Sequence, residues 1–132
     1  MKIESRTETA GKFRQVVSVG AHTLHADVMP AIGGEDSAPG PHDYFDVSLA
    51  TCKALTGMWY ARRQKFALDR IEVTVERDDS KERQGTYVLK VQLAYFGALS
   101  EEEKAKVHDA VSRCPVHKLM TTTDVVIETA AL

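Results

Sequence analysis

Along the first 29 residues the apolar positions fall in short runs bounded by glycine. Phe13 to Val19 is rich in valine, and Leu24, Ala26 and Val28 alternate with polar neighbours. Ala10-Gly11 and Gly20-Ala21 mark turns between these runs, so residues 2–29 read as β-strands. Residues 30–41, PAIGGEDSAPGP, read as a loop on their glycine and proline content. From Asp43 to Lys65 the apolar period lengthens. Phe45, Leu49, Cys52, Thr56 and Trp59 recur three to four apart on one helical face, and Val47, Ala50, Ala54, Leu55, Met58 and Ala61 cover much of the remainder. A helix that is apolar nearly all round is a buried helix. In a chain this short such a helix needs covering on more than one side, which points to a partner subunit.

The pattern then returns to alternation. Ile71, Val73 and Val75 alternate with Glu72, Thr74 and Glu76, a charged turn spans 78–85, and Tyr87, Leu89, Val91, Leu93 and Tyr95 alternate again. Together they predict a β-hairpin. Ser100 and Glu103 form a capping box, which opens a helix that should stop near Arg113. A short helix from Pro115 to about Met120 and a last strand over 123–129 complete the order β-β-β-α-β-β-α-α-β. Strands and helices do not strictly alternate, which favours an α+β fold over a doubly wound parallel sheet. The sequence shows no internal repeat and no low-complexity tail, so a single domain over 1–132 is expected.

Composition narrows the functional classes. Of 132 residues, 43% are hydrophobic and 27% charged, and the net charge is −2 with both signs interspersed. There is no basic stripe of the kind nucleic-acid binders carry, so no nucleic-acid partner is expected. The polar start MKIESRTETAGK lacks the apolar run of a signal peptide, and no stretch approaches the roughly 20 apolar residues that cross a bilayer. The expected setting is therefore the cytoplasm, away from membranes. Thiols are kept reduced there, so a bond between Cys52 and Cys114, the only two cysteines, would be transient.

Those cysteines carry the candidate chemistry. Proline is favoured at the first position of a helix, so Pro115 makes Cys114 an N-cap, facing free N–H groups and the positive end of the helix dipole. Such a place favours thiolate and lowers the pKa. His117, in the same first turn, is a candidate partner. The alternative is that Cys114 is a small residue buried at a helix junction. Cys52 reads locally as a buried small hydrophobe on the apolar face of its helix, where burial without a charge partner would silence it. A metal site is not expected. Cys114-Pro-Val-His117 lacks a second close-spaced pair of the sort structural zinc sites show. Gly33-Gly34 and Gly40 precede a helix, but no phosphate-binding motif follows them. Asp43 reads as a helix-capping acid, and Arg62-Arg63 complement the helix C-terminus.

Three segments together resemble the OsmC/Ohr family of thiol-dependent peroxidases. They are GGEDSAPGPHDYFDVSLATC (33–52), YARRQKFALDRIEVTV (60–75) and RCPVHKL (113–119). The resemblance is closest to the broad OsmC-like branch. It implies an intertwined homodimer, in which central cysteine-bearing helices are wrapped by antiparallel β-sheets from both subunits and the active sites lie at the subunit interface. It also implies that Cys52 is the peroxidatic cysteine and Cys114 the resolving one. A small hydroperoxide, with organic peroxides favoured, would be the substrate, a thiol or dithiol the reductant, and no cofactor would be needed. In the family an N-terminal arginine and a glutamate ten residues before the cysteine activate the thiol. Here His42 occupies the glutamate position, with Asp43 adjacent and about 100° further round the helix, and Arg14 is the candidate arginine. The departure at His42 leaves a second reading: a non-enzymatic OsmC-like dimer that binds a small apolar or thiol ligand in the same interface pocket.

Overall fold

A computed structural model describes residues 1–132. The chain divides into two units, Met1–Phe45 and Asp46–Leu132. In the first, β1 (Ile3–Thr7), β2 (Gln15–Val19) and β3 (His22–Ala26) form an antiparallel meander in sequence order. Ile3 lies opposite Val19, and Val19 opposite His22. The β2–β3 turn is tight because Gly20 takes φ +58°, a region open to glycine at little cost.

The loop after β3 is built around one carboxylate. Asp27 is buried, and its Oδ1 accepts the Val28 N–H at 2.8 Å. Its Oδ2 accepts the N–H groups of Glu35 and Ser37 at 3.2 and 3.0 Å and the Ser37 hydroxyl at 2.6 Å. These bonds, the Ser37 hydroxyl first among them, hold the Asp27 carboxyl well below the ordinary carboxylate range. At the end of the loop Asp43 Oδ2 accepts the Gly40 N–H at 2.8 Å, the capping role read from the sequence.

The helix α1 runs over Pro41–Gln64. The second unit takes it up and adds the hairpin β4 (Leu68–Asp78) and β5 (Val88–Gly97), then α2 (Glu101–Ser112) and α3 (Pro115–Thr122). The hairpin pairs Ile71 with Tyr95 and Val75 with Val91, with a bulge between Leu68 and Arg70. The expected capping box opens α2: Glu103 N–H donates to Ser100 Oγ at 3.0 Å, and Ser100 N–H donates to Glu103 Oε1 at 2.9 Å. Asp46 ties α1 to the hairpin, accepting from Arg77 Nε at 2.6 Å and from the Tyr87 hydroxyl at 2.8 Å. Burial first, and that bond second, push the Tyr87 phenol up to about 12.

The core of this unit is Ala61, Val107 and Val111, flanked by Tyr60, Phe66, Leu68, Leu93 and Tyr95. Burying each valine stabilises the unit by about 1.5–3 kcal/mol. The stripe of α1 that supplies the core of this unit takes Leu49 and Ala61 from the apolar positions read in the sequence. The buried positions are Leu49, Lys53, Gly57 and Ala61, an i, i+4 stripe holding a lysine and a glycine. Of the five positions read as the apolar face, Phe45 is 46% and Trp59 60% exposed. Gly57 explains why a less hydrophobic stripe faces inward. A Cβ there would stand 2.3 Å from Ile71 Cδ1 and 3.0 Å from Val111 Cγ2, so the bare glycine makes room for these two side-chain ends against α1.

The fold is α+β, with three helices and two antiparallel sheets, as the element order predicts. The last strand is a correction. Residues 123–132 carry no regular structure, and Val126 and Ile127 are each 81% exposed. β-propensity describes how a side chain fits a pleated surface, and it supplies no ladder by itself.

Candidate active site

Both cysteines are free, and both belong to the second unit. Cys52 sits midway along α1, half-buried, with its Sγ 3.9 Å from Thr56 Oγ1 one turn on. It borders an open cleft of about 790 Å³ whose walls include Leu55, Trp59, Tyr60, Pro115 and Val116. Cys114 does not line that cleft. It is fully buried behind it, between α2 and α3. The Cys52 thiol is near enough to act on the Cys114 thiol, which it pushes up. One thiol therefore meets solvent and apolar surface, while the other meets only its partner and the protein interior.

Cys114 is the N-cap of α3, in extended conformation (φ −60°, ψ 146°) with Pro115 following, as the C-P sequence predicts. The expected low pKa does not result. Burial pushes the Cys114 thiol up. The His117 N–H and the charge of Lys53 pull it down, and the Cys52 thiol, as hydrogen-bond partner and as charge, pushes it up again. The sulfur makes no capping hydrogen bond of its own, so the helix end offsets only part of the desolvation cost.

His117 lies in the first turn of α3, but its ring turns to Lys53, with Nδ1 3.2 Å from Lys53 Nζ. An ammonium has only donors, so Nδ1 is the acceptor in this bond. Lys53 Nζ also donates to the Val111 carbonyl at 3.3 Å. Sequence reading missed Lys53. A lysine beside a cysteine in a helix looks like a solvated position, and the only available signal was that it stands four residues after Leu49 and four before Gly57. Arg113 was missed as well. It borders the cleft and pairs with Asp109 Oδ2 at 2.7 Å. A smaller cavity of about 310 Å³ is lined by Lys53, His108, His117, Leu89 and Leu93.

The remaining candidates belong to the first unit. Arg14 donates from Nε to Glu8 at 2.7 Å and from one terminal nitrogen to Ser37 Oγ at 2.8 Å. His42 follows Pro41 in the first turn of α1, and Asp43 caps that helix. So the structure brings together Cys52, Cys114 and His117, and adds Lys53. Arg14, His42 and Asp43 stand in the other unit. No three His, Cys, Asp or Glu side chains converge as a metal site needs, and no helix is long and apolar enough to cross a membrane.

The sequence of residues 34–130 matches the family described as OsmC-like protein. No curated protein matches the chain. Among solved structures it resembles the OsmC-like protein of Mycoplasma pneumoniae at 20% identity, with a TM-score of 0.69 over 92% of this chain and 86% of that one. An organic hydroperoxide resistance protein of Legionella pneumophila is 18% identical, with a TM-score of 0.63 over 92% and 88%. The organic hydroperoxide resistance protein OhrB of Bacillus subtilis is 22% identical, with a TM-score of 0.55 over 92% and 90%. At these identities the structural likeness is one of fold.

Proposed function

The chain belongs to the OsmC-like protein family, and from that premise we propose that it is a thiol-dependent peroxidase that reduces organic hydroperoxides with Cys52 and Cys114. One observation carries this reading: a cysteine that borders an apolar cleft, with a second, fully buried cysteine near enough to feel its charge. Cys52 thiolate attacks the O–O bond. The distal oxygen stays on sulfur as sulfenic acid, and the alkoxide leaves as an alcohol after taking a proton. The apolar walls around Cys52 suit an alkyl or aryl hydroperoxide better than hydrogen peroxide. Cys114 then displaces water from the sulfenic acid to give a disulfide. An external thiol or dithiol restores both thiols by exchange.

The whole chain is read as one OsmC-like domain that works as a homodimer in the cytoplasm. The apolar side of α1 that stays exposed, with Leu55 at 68% and Trp59 at 60%, supports the dimer. Arg14, His42 and Asp43 are candidates for activating Cys52 in that assembly.

Mass spectrometry of the reduced protein with about one equivalent of cumene hydroperoxide tests the reading. The expected result is rapid loss of two hydrogens, mapped to a Cys52–Cys114 bond, and slower loss with hydrogen peroxide. Cys52→Ser should abolish turnover. Cys114→Ser should leave one oxidation event and let Cys52 proceed to sulfinic acid. Thiols that stay reduced in the folded protein would sink the reading. Ligand binding would then take its place, a function that the size of the cleft favours and that should survive Cys52→Ser.

A further inference from the structure

Lys53 is the chain's one buried cation, only 5% exposed, and the proposed reaction has not used it. It leaves α1 about 100° round from Cys52. Its two hydrogen-bond partners are neutral acceptors, Val111 O and His117 Nδ1. Both bracket Cys114. The Val111 carbonyl also accepts the Cys114 N–H at 3.2 Å, so the ammonium and the backbone of Cys114 share one oxygen. His117 is the third residue after Cys114, and its backbone N–H favours the thiolate there. Two anchors, one on each side of Cys114, thus hold a charged group in the interior beside a thiol that water does not reach.

We propose that Lys53 is a positioning residue for the resolving step: held by Val111 O and His117 Nδ1, its ammonium stabilises the thiolate of Cys114 as that sulfur attacks the sulfenic acid of Cys52. The inference rests on the thiol-couple reading above. In the step the Cys114 proton leaves with the sulfenic hydroxyl as water, the S–O bond breaks and the S–S bond forms. The Cys52 sulfur is reduced, the Cys114 sulfur is oxidised, and no outside electron is needed. Burial opposes the thiolate that this attack requires, and the charge of Lys53 opposes burial. Other groups around Cys114 are less suited. Cys52, from α1, is the reaction partner. His117, from α3, is engaged by Lys53. Arg113, at the end of α2, is 68% exposed and paired with Asp109. His108, from α2, accepts or donates at 2.8 Å to the Tyr95 hydroxyl, and β5 offers apolar Leu89, Val91 and Leu93.

The test is single-turnover quench with cumene hydroperoxide, reading Cys52 sulfenic acid (trapped with dimedone) and the Cys52–Cys114 disulfide separately from about pH 6 to about pH 9. Lys53→Met should slow closure about three- to tenfold near neutral pH and move its pH profile about one unit alkaline. The lower figure allows for the greater nucleophilicity of a more basic thiolate. Lys53→Arg should bring the profile back, because it keeps the charge. Should Lys53→Met not fold, Lys53→Gln, which removes the charge and retains donors for both acceptors, carries the same expectation. Closure with an unchanged pH profile in the uncharged variant, whether as fast as the parent or merely slower, overturns the inference and leaves the thiol couple standing. A parent protein that forms sulfenic acid and never closes overturns both.

Discussion

Asp27 and Lys53 are the two buried charged side chains, one in each unit, and the chain treats them differently. Asp27 is saturated. Three backbone N–H groups and a hydroxyl converge on its two oxygens, and they belong to a single loop that the carboxylate folds around itself. Lys53 has two neutral acceptors for three donors, lines a cavity, and stands beside two thiols. A buried charge satisfied by backbone amides fixes a conformation. A buried charge left partly unmatched near a titrating group retains electrostatic force to apply to that group. The two ions differ in what surrounds each, with burial nearly equal.

The largest way to break this contrast is at Asp27. Asp27→Ala strips the acceptor from four donors at once, and the melting temperature should fall on the order of 10 °C. The same carboxylate sets an acid dependence. Its folded-state pKa is lowered, so the unfolded chain binds the proton first. Its contribution is whole above about pH 4 and is lost as pH falls further. Thermal melts should therefore be flatter against acid in the alanine variant than in the parent, and equal slopes would show that Asp27 is not the ion holding the loop.

A smaller effect comes from Gly57, in the stripe that carries Lys53. Gly57→Ala must push Ile71 Cδ1 and Val111 Cγ2 aside, at a cost of about 1–3 kcal/mol by urea unfolding. Because Val111 also carries the carbonyl that anchors Lys53, this variant should slow disulfide closure as well. The smallest stability change should be at Lys53 itself. Replacing a buried, partly matched cation by an apolar side chain of similar length is near neutral, so Lys53→Met should stay within about 1 kcal/mol of the parent by the same method. A loss as large as that at Asp27 would place Lys53 with the structural ions.

Much of this fold is legible in the sequence, because local rules fix it. The helix read over 43–65 appears as Pro41–Gln64, and the hairpin, the capping box and the N-cap at Cys114 stand where turn and cap chemistry put them. The reading fails where distant contacts decide. Periodicity marked α1 as apolar nearly all round, and it gave no sign that Lys53 and Gly57 would join Leu49 and Ala61 against the core. The packed face is set by Gly57, whose value lies in what it lacks. The strand expected at 123–129 had the composition of a strand without a ladder to join. At the site, the cysteines stood out by chemistry and spacing, and His117 by proximity to one of them. Lys53 did not, because its burial depends on Val111 and His117, distant in sequence and adjacent only after folding.

Between Cys52 and Cys114 the chain passes through the rest of α1, the whole hairpin and all of α2. Joining them would tie about 60 residues into a ring, which removes unfolded-chain entropy equivalent to about 4 kcal/mol. The oxidised protein would then be the harder of the two to unfold, and whatever reductant reset the couple would release that margin. Each turnover would tighten and loosen the same molecule. The melting curve of an untreated sample would then record what fraction of it carried the disulfide.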